Sequence, residues 1–133
     1  MHEIPATDVP PPVRSAVAHA LRVAAGSMGP AIFPPDEPPE GWVHWKVYDE
    51  RDHPEARHVG GWVPSGPPYC ISIVWWADGR PPVRYAWLAA HEAWHHFRRL
   101  TGAPYGGRAE QAEADAWANR YVRRHWTRRC PVG

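Results

Sequence analysis

Apolar side chains recur along this chain with two different periods, and the changes of period divide it into elements. Val13, Ala16, Val17, Ala20, Leu21 and Ala24 fall three or four apart, the spacing of one face of a helix. Thr7 or Asp8 is placed to cap that helix, Pro10, Pro11 and Pro12 fall where a first turn tolerates proline, and Gly26 is expected to end it. Gly29-Pro30, Pro34-Pro35 and Pro38-Pro39 then make a connector of residues 26–41. Over residues 42–48 the period drops to two, with Val43, Trp45 and Val47 on one side, which predicts a half-buried strand. Residues 58–63 predict a short second strand, weakened by Gly60-Gly61. Residues 69–76 are almost continuously apolar, with Ser72 the one polar interruption, and predict a strand buried on both faces. Helical spacing returns after Asp78-Gly79 and Pro81-Pro82, with Val83, Trp87, Ala90, Trp94 and Phe97 as the expected buried stripe. Gly102, Pro104 and Gly106-Gly107 predict a tight connection to a last helix over about residues 108–128. Its inward face is Ala114, Trp117, Ala118, Tyr121 and Val122, and the two alanines let another helix axis come close. The order is helix, small three-stranded twisted sheet, second helix, packing helix: an α+β domain.

The length of 133 residues is that of one domain, so residues 1–133 are read as a single unit, with 1–41 as helix plus connector and 42–133 as sheet and helices. Nine tryptophans supply bulk for the core. The formal net charge of +1 provides no global field for nucleic acid or membrane. Eight arginines between Arg98 and Arg129 face only Glu110, Glu113 and Asp115 in sequence, which reads as a solvated basic helix face. Two cysteines, Cys70 and Cys130, are too few for a disulfide framework, and no apolar stretch is long enough to cross a bilayer. A cytoplasmic protein with reduced thiols is expected.

The candidate chemistry lies in His91-Glu92-Ala93-Trp94-His95. On a helix, residues four apart project from one face, so His91 and His95 can grip one zinc ion. Glu92 then stands beside the metal and can take a proton from water. His96 points about a quarter turn away and is not expected to be a ligand. His19, His44, His53 and His58 lack helical ligand spacing. Tyr105 and Tyr121 are candidates to hydrogen-bond an oxyanion, although each is first a structural residue.

Two segments carry a resemblance. The helix Arg84-Tyr85-Ala86-Trp87-Leu88-Ala89-Ala90 leads into His91-Glu92-Ala93-Trp94-His95, and Ala114-Asp115-Ala116-Trp117-Ala118 follows on the last helix. With the preceding strand they cover roughly the last 65 residues and resemble the zincin metallopeptidases, most closely the ImmA/IrrE group of small gluzincin-like proteins common in phages and mobile elements. The resemblance implies zinc held by His91, His95 and a carboxylate from the last helix, with Glu92 as general base. It also implies an intracellular peptidase whose partner is a protein or peptide substrate, such as a transcriptional repressor. The strand over 69–76, or the sheet edge near it, would pair with extended substrate. This chain departs from its look-alikes where their third ligand is a glutamate, four residues before the Asp/Asn, because that position is Gln111. Three acids are near it: Glu110, on the inward side of the helical wheel, ranks first as ligand, Asp115 second and Glu113 third. Gln111 also motivates a rival expectation, a catalytically inactive module that keeps the fold and docks onto a protein partner. Finally, Cys130 is expected first as a free thiol at an exposed end, while Arg129-Cys130-Pro131 is loosely similar to the cysteine-switch segment of secreted matrix metallopeptidases, which offers the alternative of a latency ligand.

Overall fold

The computed structural model describes residues 2–4, 6, 8–29, 32–33, 43–53, 60–63, 69–101 and 107–126. Most of residues 26–41, expected as a connector, residues 54–59, 64–68 and 102–106, and with them Thr7, His58, Tyr105 and Cys130 lie outside them. The described elements run β1 (His2–Glu3), α1 (Pro11–Met28), β2 (Val43–Asp49), a short 3-10 turn (Glu50–Asp52), β3 (Gly61–Trp62), β4 (Tyr69–Trp75), α2 (Pro82–Thr101) and α3 (Gly107–His125). The fold is α+β, with three α-helices and one mixed sheet.

The sheet has the order β1-β2-β4-β3. β2 and β4 pair in parallel over their full lengths, from Val43 opposite Tyr69 to Asp49 opposite Trp75. β3 pairs antiparallel with β4 and closes one edge. The alternation read in β2 is present: Val43, Trp45, Val47 and Asp49 are buried and the residues between them are half-buried. In β4, Ile71, Ser72, Ile73 and Val74 are buried in succession, as expected of a strand covered on both faces. Of the predicted second strand, only Gly61 and Trp62 are paired among the described residues. Ahead of the first predicted helix, His2 and Glu3 pair in parallel with β2, and Ile4 donates its N–H to Trp45 O at 2.7 Å. Two residues carry no period, so nothing in the pattern could reveal them.

α1 continues through Gly26 to Met28 and ends at Gly29, whose φ of 95° and ψ of 164° are a backbone conformation that glycine alone adopts readily. Its N-cap is Pro10, with no side-chain cap, rather than Thr7 or Asp8. α2 is the central element: α1 and α3 pack on it, and it lies against β4 and β3. This placement corrects the expected stripe. The deeply buried residues of α2 are Tyr85, Ala86, Leu88, Ala89, Ala90, Glu92, Ala93, His95 and His96. Val83, Trp87, Trp94 and Phe97 are only half-buried. A helix enclosed on several sides buries its small residues where backbones approach, and its large rings fill the seams. Trp94 stacks on Trp117 of α3 at 5.8 Å between ring centres, and Trp87 Nε1 donates to Asn119 Oδ1 at 2.9 Å. Trp117 and Val122 of α3 are likewise half-buried, while Glu110, Ala114, Ala118 and Tyr121 are buried.

Tyr85 fixes the start of α2 against the end of β4. Its ring is fully buried, and its hydroxyl donates to Trp76 O and accepts from Trp76 N–H, both at 3.1 Å. The helix carrying the histidines is thereby tied to the strand beside the sheet edge.

Candidate functional site

α2 brings His91 and His95 one above the other, as the four-residue spacing requires. Their Nε2 atoms converge to 3.1 Å, with the ring centres 4.7 Å apart. On the far side of each ring stands a carboxylate from α3. Glu110, itself buried, meets His95 Nδ1. Asp115 Oδ1 lies 3.0 Å from His91 Nδ1, an ion-pair distance whose alignment falls short of a hydrogen bond. A carboxylate facing Nδ1 favours the proton on that nitrogen, which leaves the Nε2 lone pair directed outward. Two such lone pairs 3.1 Å apart repel unless a cation or a shared proton lies between them.

Glu92 is buried at the floor of the same cleft, with Oε2 3.8 Å from His91 Nε2. Burial pushes its carboxyl up to about 8, against a smaller opposing pull from Arg99. His91 is shifted down, first by burial and then by the neighbouring His95, while Asp115 and the Gln111 side-chain amide act the other way. The cleft has a volume of about 420 Å3. Gly60, Gly61, Trp62 and Val63 form one wall, α2 forms the floor with Trp87, Leu88, His91, Glu92, His95 and Arg99, and Glu110 and Gln111 of α3 close the other side.

The glycine pair is what lets the sheet edge come so close. A Cβ on Gly61 would stand 2.5 Å from Ser72 O and 2.9 Å from Glu92 Cγ, and one on Gly60 would stand 2.6 Å from Leu88 Cδ2. A side chain at Gly61 would therefore push β3 off both its partner strand and the helix. Sequence reasoning treated Gly60-Gly61 only as a weakness in a strand. It also passed over Arg99, which lies two helical turns beyond Glu92 on the same face, a spacing visible in the sequence.

The other sequence candidates fall as follows. Glu113 accepts from Trp94 Nε1 at 3.3 Å and lies 3.5 Å from Arg98 Nε. His96 is fully buried on another side of α2, where its Nε2 donates to Ile32 O at 3.0 Å between the rings of Phe33 and Tyr69. Tyr121 accepts from Trp126 Nε1 at 2.8 Å and pairs with His19 Nδ1 at 2.6 Å, in a cluster between α1 and α3. Burial there raises its hydroxyl to about 12.

The two Nε2 atoms suit a borderline-soft cation such as zinc, and the carboxylates on Nδ1 are what such ligands normally require behind them. Among the described residues, no third His, Cys, Asp or Glu joins them in a ready metal-binding group. No family model, curated protein or solved structure matches this chain.

Proposed function

We propose that this protein is a zinc-dependent peptidase of the zincin type, similar to the ImmA/IrrE group, acting in the cytoplasm. The observation that carries this reading is the converging Nε2 pair of His91 and His95, backed by Glu110 and Asp115, beside a buried carboxyl in an open cleft. Zinc, when bound, supplies Lewis acidity: it makes water acidic at neutral pH and polarises a carbonyl. His91 and His95 hold the ion. Glu92 receives the proton from the attacking water and passes it to the leaving amine. Burial favours the protonated carboxyl in the metal-free protein, and a divalent cation held by the neighbouring histidines would favour the carboxylate that accepts the proton. Substrate enters along the wall made by β3. β4 is paired on both sides, so the edge strand beside the cleft is β3, where an extended peptide can add to the sheet. A regulatory protein of a phage or mobile element, such as a repressor, as substrate rests on the resemblance alone.

Glu92→Gln tests the mechanism. The amide is nearly isosteric but cannot accept the proton, so the variant should keep zinc and lose cleavage of a generic peptide. Full activity in that variant would contradict the role of Glu92. Gln111, in place of the acid that the look-alikes carry, favours a second reading, a docking module without catalysis. Zinc content of the purified protein separates the two, because the module has no use for metal.

A further inference from the structure

The three acids of α3 nearest the site are each engaged away from the Nε2 pair. Glu110 is committed to His95 Nδ1 in a buried contact. Moving it to the metal side would leave a buried imidazole N–H without its acceptor. Asp115 faces His91 Nδ1, and Glu113 takes the Trp94 indole N–H. Gln111 precedes Asp115 by four residues, so the two side chains lie on one face of α3, one turn apart. Asp115 reaches the back of His91. One turn nearer the start of the helix, Gln111 lines the cleft itself, together with His91, Glu92 and His95.

We propose that Gln111 supplies the third protein donor of the metal centre through its amide oxygen, and that Glu110 and Asp115 supply the negative charge this donor lacks from behind the two histidines. The inference rests on the reading of the cleft as a zinc site. An amide oxygen is a weaker zinc donor than a carboxylate and brings no charge. A divalent ion held by two neutral imidazoles and an amide keeps its full charge, which the two carboxylates on Nδ1 cancel at one remove. Each of them also raises the basicity of the nitrogen it faces across the ring. The arrangement transfers the acidic character of the site from the metal's own shell to the layer behind it. It predicts a centre that binds zinc less tightly than one with a glutamate at this position and leaves the ion more electrophilic.

The test is zinc affinity, measured by competition with a chromophoric chelator, together with the visible spectrum of the cobalt(II)-loaded protein. The chains compared are wild type, Gln111→Ala, Gln111→Glu, Glu110→Gln and His91→Ala. Gln111→Ala should weaken zinc by about tenfold or more, and Gln111→Glu should tighten it by about as much, with a changed cobalt spectrum because the donor itself changes. Glu110→Gln should weaken zinc by about 10–100-fold, the usual range for a partner behind a ligating histidine, and leave the cobalt band pattern as it was. Gln111 sits on an exposed helix face, so its variants should fold. If zinc is lost in His91→Ala but both Gln111 variants match wild type, the proposal is overturned and the metal centre stands. If Glu110→Gln, rather than Gln111→Glu, changes the cobalt spectrum, Glu110 is the ligand and the proposal again fails. If wild type binds no zinc, the reading beneath it fails as well.

Discussion

Two sides of α2 carry the same residue type under opposite conditions. On the cleft side, His91 and His95 turn Nε2 toward each other and Nδ1 toward carboxylates. On the core side, His96 is enclosed by Phe33 and Tyr69 and donates to a backbone carbonyl. One residue of spacing, about 100° around the helix, separates a ligand environment from a packing one. The first places two lone pairs where only a cation or a proton relieves them. The second donates from one nitrogen to Ile32 O, leaves Nδ1 with no hydrogen-bond partner among the described residues, and uses the ring as filler. The difference shows that a buried histidine is informative only when both of its nitrogens are accounted for.

The largest effect belongs to the cleft side. Glu92→Gln should reduce peptide cleavage by about 100–10,000-fold, the typical contribution of a positioned general base, with zinc content unchanged. The matching change on the core side, His96→Ala, should do the reverse. It removes a fully buried ring and the donor to Ile32 O, so urea unfolding should show a loss of about 2–4 kcal/mol with zinc content preserved. A His96→Ala variant that unfolds like wild type would erase the contrast.

A smaller effect tests how the sheet edge bears on the cleft. Gly61→Ala places a methyl against Ser72 O, a backbone atom that yields little, and against Glu92 Cγ. It should cost about 1–3 kcal/mol and reduce cleavage further than that loss of stability explains. Equal stability and equal turnover would mean that β3 does not bear on Glu92.

The last contrast is in pH dependence, where the two sides slope in opposite directions. Burial holds Glu92 at about 8 in the folded, metal-free protein against an ordinary value of 4.5. Its share of stability is full below that ordinary value and is lost as pH rises toward about 8. His96 is lowered from 6.5 chiefly by burial, with the nearby Arg99 adding to the effect. Its share is full above 6.5 and is lost as pH falls below that value. Urea midpoints measured with a chelator across this range should flatten on the alkaline side in Glu92→Gln and on the acid side in His96→Phe.

The elements of this fold were legible where one period ran long enough to be counted. The alternation in β2 and the continuous run in β4 each span seven residues, and both strands lie where their patterns put them. The parallel pairing between them was not legible, because each pattern specifies which face is buried and not which neighbour lies alongside. The stripe on α2 was misjudged for a related reason: helical spacing identifies one face, whereas α1, α3 and the sheet enclose several. In the site, the spacing of His91 and His95 requires their shared face, and the inward position of Glu110 on its helical wheel agrees with its burial. Its engagement with Nδ1 rather than Nε2 depends on a distance between two helices that no sequence period encodes.

The central claim is that His91 and His95, and not their neighbour His96, hold a metal ion. Zinc content by elemental analysis, after purification and equilibration with limiting zinc, tests it in four chains: wild type, His91→Ala, His95→Ala and His96→Ala. The account predicts about one zinc per chain in wild type and in folded His96→Ala, and none in His91→Ala or His95→Ala. Zinc absent from wild type, or retained when His91 or His95 is removed, would contradict it.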